Sequence, residues 1–397
     1  MRILTITTLF PNHLQPNLGV FIKHRIVALS KLADVRVIAP IPWVPAFAGF
    51  TEKARLFQQI NNEEIIDGIK VYHPRYFVTP RFGRNLYGKF YYFSLIQFVK
   101  KLYSSFPFDV LDIHWAYPDG YAGVLLAKKL RKPVSVSLRG TDIHTYPNCP
   151  SRRRLIAYSL SHADMVIAVS SSMIPLVKEL GINHHRISVI PNGIDRKIFH
   201  FTTQEAARKD LSIKKTDKVI LTVGRFEAPK RFDLLINSIA QLMHDNNLPI
   251  KLILVGDGSL GPDLVQLAKE KGIADQIIFA GEQPNDALAK WYGMADIFCL
   301  ASDKEGCPNV VLEALSCGVP VVASDVGNVK EILSSTKYGI IVDENNIIAW
   351  SKSIHLALST NWNPEEIAYS LEGKGWEVVG EDIYKTFSQI IKVLPTT

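Results

Sequence analysis

The chain has 397 residues, of which 47% are hydrophobic and 21% are charged, and its formal net charge is +7. This length predicts two domains, each large enough to bury its own core, and the composition excludes a disordered or fibrous chain. No apolar run reaches the roughly 18 residues that a membrane-spanning helix needs.

Cysteine usage and charge narrow the functional classes further. The four cysteines lack the C-x2-C spacing of a metal site, so we expect buried thiols and a cytoplasmic protein. The positive net charge of the chain favours an anionic partner, which could be a nucleotide sugar, an acidic membrane surface or nucleic acid.

The chain opens with a strand, loop, helix and strand, the first unit of a doubly wound α/β domain. Residues 3–7 form an apolar run that predicts a buried strand. After a loop over 11–19, a helical pattern over 21–32 leads to a second strand over 35–39. Gly19 at the end of the loop either lets the backbone approach a ligand phosphate or simply permits the turn into the helix.

Residues 84–103 are aromatic and basic, and their spacing predicts a helix. The large apolar residues at helical spacing are Tyr87, Tyr91, Leu95, Phe98 and Leu102. The lysines among them are Lys89, Lys100 and Lys101. We favour a helix that packs its aromatic stripe on the sheet. A surface that faces a membrane or an acceptor is the alternative, because spacing alone does not distinguish the two.

Two strands in the middle of the first domain end in polar loops. The strand over 109–113 leads into His114-Trp-Ala-Tyr-Pro-Asp-Gly, and the strand over 133–138 leads into Arg139-Gly-Thr-Asp-Ile-His. Both loops are expected on the ligand side, because the carboxyl ends of parallel strands meet at one edge of a sheet. A histidine such as His114 there either contacts the substrate or holds the loops together by hydrogen bonds.

The alternation of strands and helices restarts at Val219, so we place the domain boundary near Phe199. The strand from Val219 is followed by a basic loop with Arg225 and Lys230. Two cations in that place can neutralise a diphosphate without a metal. Gly256-Asp-Gly follows the next strand, and although the motif alone is weak, its place at a strand end strengthens it.

Residues 302–318 combine a strand end, a loop and a helix start. They follow an apolar strand over 296–300, and Pro308 suits the first turn of the helix. Unpaired amides at a helix start attract the negative oxygens of a phosphate or a sugar hydroxyl. Glu305 and Glu313 flank this turn with seven residues between them.

Together, the basic loop, the Glu-x7-Glu pair and the Gly-Val-Pro-Val-Val-Ala strand after it resemble glycosyltransferase family 4, whose fold is GT-B. The resemblance is densest over residues 219–332 and implies an α/β fold of two Rossmann-like, doubly wound domains facing a central cleft. Residues 1–199 would bind the acceptor and residues 200–375 the nucleotide sugar. A C-terminal helix over 376–397 would cross back to the first domain.

The same resemblance implies a role for each motif residue. The residues at the reacting centre are Glu305, Arg139 and His114. Those that hold the donor diphosphate are Arg225, Lys230 and Gly19. Those around the donor sugar are Glu305, Gly306, Cys307, Pro308 and Asn309. Those around the nucleoside are Glu313, Glu282, Gln283 and Gly256.

Three positions depart from the family pattern. A histidine is common in the family where this chain has Arg139. A glycine is common where it has Val20, and another where it has Asn328.

The activity implied by the resemblance is transfer of a sugar from a UDP-sugar or GDP-sugar to a glycan or lipid-linked acceptor in cell-surface polysaccharide synthesis. It retains the anomeric configuration and needs no metal or other cofactor. The loops at His114 and Arg139 look like those of bacterial enzymes that build teichuronic acid. We expect a cytoplasmic enzyme that can lie at the inner face of the cell membrane, with no nucleic-acid partner.

Two other functions remain open. A nucleotide-sugar epimerase of the same fold would eliminate and re-add the nucleoside diphosphate, whereas a non-catalytic sensor would bind nucleotide sugars without turnover. Release of free nucleoside diphosphate when an acceptor is added distinguishes the transferase from both.

Overall fold

The computed structural model describes residues 1–45, 51–79, 83–183, 186–209, 213–246 and 248–393. The chain divides into two compact units, the first comprising Met1–Asn192 with Trp376–Thr397 and the second comprising Gly193–Gly375. The division comes before Phe199, near which we placed it from the sequence. The Phe199 side chain is buried in the core of the second unit, against the ring of Tyr292.

An eight-stranded sheet forms the centre of the first unit. The strands of this sheet and of a small second sheet are β1 (Arg2–Ile6), β2 (Asp34–Ile38), β3 (Ile41–Pro42), β4 (Glu63–Ile66), β5 (Ile69–Tyr72), β6 (Arg75–Tyr76), β7 (Val110–His114), β8 (Val134–Ser137), β9 (Met165–Ala168) and β10 (Ile187–Val189). The order in the large sheet is β10-β9-β8-β7-β1-β2-β5-β4, and only the β4–β5 pair is antiparallel. Strands β3 and β6 form the small sheet.

Helices connect the strands of the first unit. Before residue 193 they are α1 (Val20–Ser30), α2 (Glu52–Gln59), α3 (Tyr87–Ser105), α4 (Tyr121–Leu130), α5 (Thr141–His144), α6 (Pro150–Ser161) and α7 (Met173–Lys178). In α3, Tyr91, Leu95 and Leu102 are buried. The aromatic stripe therefore packs inward, as we favoured from its spacing.

A six-stranded, fully parallel sheet forms the centre of the second unit. Its strands are β11 (Lys218–Val223), β12 (Ile250–Val255), β13 (Ile277–Gly281), β14 (Ile297–Leu300), β15 (Val321–Ser324) and β16 (Gly339–Val342), in the order β13-β12-β11-β14-β15-β16. Val219 and Leu221 of β11 lie in one apolar core and Ile220 lies in another. Both faces of the sheet are therefore covered, which explains the continuous apolar runs of its strands.

The helices of the second unit supply those two cores. They are α8 (Gln204–Lys209), α9 (Phe232–Asn246), α10 (Gly261–Glu270), α11 (Leu288–Gly293), α12 (Asn309–Ser316), α13 (Val329–Ile332), α14 (Ile347–Ser359) and α15 (Pro364–Tyr369).

The last helix, α16 (Trp376–Val393), belongs to the first unit although it follows the second in sequence. Its residues Val379, Ile383 and Phe387 recur at helical spacing and are buried with Ile22 and Ile26 of α1. Burial of this apolar stripe against α1 attaches the C-terminus to the first unit.

Candidate active site

Strand order places two of the motif loops side by side in the second unit. Strand β11 has β12 on one side and β14 on the other. In a doubly wound sheet the crossovers diverge at such a point, so the loops after β11 and β14 form a crevice at the carboxyl edge of the sheet. The first loop carries Arg225 and Lys230, and the second carries Glu305.

Hydrogen bonds and ion pairs join these two loops directly. The amide of Asp303 donates to the carbonyl oxygen of Pro229 at 2.8 Å, and Arg231 Nη1 donates to Asp303 Oδ1 at 3.1 Å. Lys230 Nζ donates to Glu305 Oε1 at 2.6 Å, and these two side chains are only 29% and 13% exposed. The residue predicted to hold a diphosphate and the residue predicted to hold a sugar therefore neutralise each other.

Arg225, the other predicted diphosphate ligand, lies in a more open place. Its side chain is 78% exposed, and Nη2 contacts Glu227 Oε1 at 2.7 Å. An exposed ion pair of this kind contributes only about 0–1 kcal/mol. The guanidinium can therefore exchange Glu227 for another anion at little cost.

Gly256 brings the loop after β12 onto the loop after β11. It has a φ of 136°, and a Cβ atom there would lie 2.0 Å from the carbonyl oxygen of Gly224. Its amide donates to the carbonyl oxygen of Gly281 at 2.8 Å, just before the predicted nucleoside residues Glu282 and Gln283. Gly256 and these two residues therefore share one edge of the sheet. The Gln283 side chain donates to the carbonyl oxygen of Ala280, near the end of β13.

The turn into α12 is supported from behind by the loop after β15. The helix begins at Asn309 with Pro308 as its N-cap, one position earlier than the first-turn place expected for this proline. A Cβ atom at Gly327 would lie 2.6 Å from the carbonyl oxygen of Gly306. Asn328 Nδ2 donates to Cys307 Sγ at 3.3 Å. Two of the predicted donor-sugar residues, Gly306 and Cys307, thus pack against the loop after β15.

Glu313 is directed into the protein, where only 8% of it is exposed. Tyr292 Oη donates to Glu313 Oε2 at 2.8 Å. Burial raises the pKa of Glu313 to about 7, against the opposing effect of the Tyr292 hydrogen bond. Burial therefore favours the protonated form of this carboxyl group over a wider pH range than for an exposed glutamate. No sequence motif pointed to Tyr292, which lies on the short helix α11.

The first unit has its own divergence point at β1, which lies between β7 and β2. Gly19 ends the loop after β1 and is the N-cap of α1, with a φ of 65°. A Cβ atom at Gly19 would lie 2.5 Å from the carbonyl oxygen of Leu9. The close approach and the left-handed backbone both require glycine, so the turn alone explains this residue. A contact with phosphate stays a prediction.

His114 is the last residue of β7 and Arg139 lies just after β8, and the two side chains contact each other. Arg139 Nε donates to His114 Nδ1 at 3.2 Å, and Nη1 donates to Asn192 Oδ1 at 3.3 Å. The His114 ring is fully buried, and burial lowers its pKa to about 3 even though Asp112 opposes this effect. Any part that His114 takes in a reaction is therefore exerted through Arg139, which is only partly buried.

Two buried aspartates organise these loops, and the sequence analysis missed both. Asp112 Oδ2 lies 3.0 Å from His114 Nε2, and Asp112 Oδ1 accepts from Arg25 Nη2 at 3.3 Å. Asp142 accepts from the amides of Ala116 and Arg139 at 2.9 and 3.0 Å, which ties the loop after β7 to the loop after β8. The available signal was an aspartate inside the otherwise apolar β7 run.

The described ranges contain neither a cluster of metal ligands nor a membrane-spanning helix. No group of three or more His, Cys, Asp or Glu side chains there is placed to share a metal ion. Nor is any helix in those ranges long and apolar enough to cross a membrane. Independence of metal stays a prediction.

Comparison with known families agrees with this division into two sheets. The model for Glycosyltransferase Family 4 matches residues 19–197, and the model for Glycosyl transferases group 1 matches residues 203–370. The chain belongs to glycosyltransferase family 4. The resemblance carried by the strand-end motifs is confirmed.

Curated relatives of this family 4 chain are named for different reactions. The putative teichuronic acid biosynthesis glycosyltransferase TuaC of Bacillus subtilis is 29% identical over 97% of this chain and 93% of its own length. The N-acetyl-alpha-D-glucosaminyl L-malate synthase of Bacillus anthracis is 30% identical over 59% of this chain and 61% of its own length. The D-inositol 3-phosphate glycosyltransferase of Nocardia farcinica is 29% identical over 49% and 45%. The last two matches thus span less than two thirds of those relatives.

Solved structures confirm the GT-B fold of this family 4 chain. The sucrose-phosphate synthase tll1590 from Thermosynechococcus elongatus superposes with a TM-score of 0.77 at 17% identity, over 99% of this chain and 100% of the other. Anabaena Alr3699/HepE in complex with UDP superposes with a TM-score of 0.74 at 18% identity, over 98% and 99%.

The raised pKa of Glu313 makes a prediction about stability. Between about pH 4.5 and 7 the folded chain keeps a proton that the unfolded chain has lost, so stability falls as pH rises through this window. Glu313→Gln removes this loss and still accepts a hydrogen bond from Tyr292. We expect the variant to gain up to about 3 kcal/mol over wild type between about pH 5 and pH 8, measured by urea unfolding.

The control for this measurement is Glu270→Gln, which changes an exposed carboxyl group on α10 of the same unit. Its stability relative to wild type should stay nearly constant over the same range. If Glu313→Gln and wild type show parallel stability curves, the carboxyl group of Glu313 ionises as it does in water, and the assignment of a buried carboxyl group with a raised pKa is wrong.

Proposed function

We propose that this chain is a retaining, metal-independent glycosyltransferase that moves a sugar from a nucleotide diphosphate donor to a glycan or lipid-linked acceptor in cell-surface polysaccharide synthesis. The match to TuaC over nearly the whole chain supports this acceptor class. The UDP complexes of Alr3699/HepE support a nucleotide donor. The observation that carries the proposal is the Lys230–Glu305 pair at the β11–β14 divergence point of the second unit.

The donor diphosphate would take the place of Glu305 as the partner of Lys230. A shielded ammonium group held 2.6 Å from a carboxylate is already positioned for an oxyanion. Arg225 can join it at little cost, because its pair with Glu227 is exposed. Together the two cations would stabilise the negative charge that grows on the leaving phosphate, which is the role that a metal ion fills in other enzymes.

Glu305, released from Lys230, would accept hydrogen bonds from hydroxyl groups of the donor sugar. The start of α12 would add its positive end nearby. Contacts at the reacting sugar can tighten as charge develops, so Glu305 acts mainly on kcat. Tyr292 holds one oxygen of Glu313, which fixes the direction of the other. We assign that oxygen to the ribose hydroxyls, where binding acts mainly on the donor KM.

The clamp is tested by Lys230→Ala. Loss of one charge-assisted contact to the diphosphate should weaken UDP or GDP binding about 10-fold to 100-fold. It should also lower turnover about 10²-fold to 10³-fold, because the transition state loses a fixed charge. Titration calorimetry measures the first effect, and release of nucleoside diphosphate from a panel of UDP-sugars and GDP-sugars measures the second.

Lys304→Ala is the matched control, because Lys304 lies in the same loop as Glu305 but is exposed. It should bind and turn over like wild type. Equal losses in both variants would point to general electrostatics and contradict a clamp at Lys230. In wild type, binding of nucleotide sugar without release of diphosphate would favour the sensor instead.

The acceptor class also implies contact with a membrane surface, and α3 carries a suitable face. The stripe that we identified from sequence is buried or partly buried, but a different side of the helix is open. Phe93 is 68% exposed, and Leu86 and Phe77 beside the helix start are 45% and 46% exposed. Lys89 and Lys100, one turn before and two turns after Phe93, are exposed as well. Aromatic side chains next to lysines suit the headgroup region of an anionic bilayer.

The membrane proposal is tested by sedimentation with vesicles that contain phosphatidylglycerol. Wild type should bind them more weakly as salt rises, and Phe93→Ser should bind less than wild type. Leu356→Ser is the control, since Leu356 is 58% exposed on α14 of the second unit and should not matter. Equal binding to vesicles of neutral lipid would overturn the electrostatic part, and full binding by Phe93→Ser would overturn the role of this face.

A further inference from the structure

A hydrogen-bonded network of polar side chains lies in the first unit and ends at Arg139. Ser137 Oγ accepts from Arg25 Nη1 at 2.9 Å, and Arg25 Nη2 donates to Asp112 Oδ1 at 3.3 Å. Asp112 Oδ2 in turn lies 3.0 Å from His114 Nε2, and Arg139 donates to His114 Nδ1 from both Nε and Nη2. Arg139 is the one member of this network that is only partly buried.

The chemistry of its neighbours determines which nitrogen of His114 carries the ring proton. A guanidinium group has donors only, so His114 Nδ1 must present its lone pair to Arg139. The ring proton therefore sits on Nε2, where it is donated to Asp112 Oδ2. A doubly protonated ring would place an N–H against the guanidinium group and break the arrangement. Burial favours the same neutral state, since it lowers the pKa of His114 to about 3.

The negative charge of Asp112 is compensated by other members of the network. Burial alone would favour its protonated form, but the His114 contact and the Arg25 guanidinium outweigh it and hold the pKa of Asp112 below its usual range. Arg25 and Asp112 are 2% and 0% exposed. Among the described residues, Arg25 Nε has no hydrogen-bond partner although it is buried. Burying these charges costs stability that an apolar pair of similar volume would not lose.

Such a cost is expected where a network fixes the orientation of a functional group. The guanidinium group of Arg139 donates to His114 from one edge and to Asn192 Oδ1, at 3.3 Å, from another. Its Cζ atom lies over the Phe21 ring, 5.5 Å from the ring centroid. Its backbone amide is held by Asp142 at 3.0 Å. Rotation of this side chain would break several of these contacts together.

We propose that Asp112 and His114 are positioning residues that hold the Arg139 guanidinium in one orientation for the sugar-transfer step. The inference rests on the proposed function, since it assigns Arg139 to the reacting groups. It separates two residues that the sequence placed together: Arg139 is the group that meets the substrate, and His114 acts only through it.

The test compares two replacements of His114. His114→Gln keeps one acceptor and one donor in a single side chain, whereas His114→Met keeps the length and loses both. Displacement of Arg139 should lower kcat about 10²-fold in the Met variant, the scale for a group misplaced by about 1 Å. The Gln variant should stay within about tenfold of wild type. UDP affinity should be unchanged in both, because Arg225 and Lys230, the two cations proposed to hold the diphosphate, lie in the second unit.

Thr5→Val is a matched control in the same cluster. Thr5 Oγ1 donates to Asp112 Oδ2 at 3.3 Å but is not part of the path to Arg139, so this variant should keep the wild-type kcat. Equal loss of kcat in the Gln and Met variants would overturn positioning by hydrogen bonds, and so would a wild-type kcat in the Met variant.

A measurement without turnover keeps this test separate from the proposed function. In the full chain with 15N-labelled histidine, the His114 signal is identified by its disappearance in His114→Gln. It should show a neutral ring with the proton on Nε2 from about pH 5 to pH 8. Protonation within that range, or a proton on Nδ1, would overturn the inference. If wild type releases no diphosphate from any donor, the proposed function fails while this measurement still decides the proton arrangement.

Discussion

Each unit has a largely parallel sheet whose strand order diverges at its first strand, β1 or β11. This divergence determines which strand-end loops lie together and can form a binding site. The loops after β11 and β14 in the second unit, and after β1 and β7 in the first, must lie side by side at the carboxyl edge of their sheets. Every candidate residue except Glu313 lies in or beside a loop at the carboxyl end of one of these strands or of a neighbouring strand. Glu313 lies one helical turn further, on α12, where Tyr292 holds one of its two carboxylate oxygens.

Both units contain an ion pair near this edge of the sheet, but the two pairs differ in their exposure. In the second unit Lys230 meets Glu305 in a contact that a ligand can replace, because both side chains keep some exposure. In the first unit Asp112 meets Arg25 where neither is exposed, and no ligand can reach them. The first kind of pair suits binding. The second kind suits the holding of a neighbour in place, which is why we assign the two pairs different roles.

Sequence patterns predicted the strand-end loops because apolar runs followed by glycine or polar residues are local features. Arg225, Lys230, Glu305 and the α/β class all came from that local pattern. The contact between Lys230 and Glu305 was not predicted, because the two residues are 75 positions apart and each had been given a separate ligand. The inward direction of Glu313 and the Asp112 network depend on packing across the sheet, which spacing along the chain does not encode.

Replacement of Lys230's partner by the donor diphosphate is the central claim, and Glu305→Gln tests it most directly. If Glu305 competes with the diphosphate for Lys230, its neutral replacement should bind UDP or GDP several-fold more tightly than wild type in titration calorimetry. Turnover of the matching nucleotide sugar should fall at the same time, because the sugar loses its carboxylate partner. Unchanged or weaker nucleotide binding by Glu305→Gln would contradict the account.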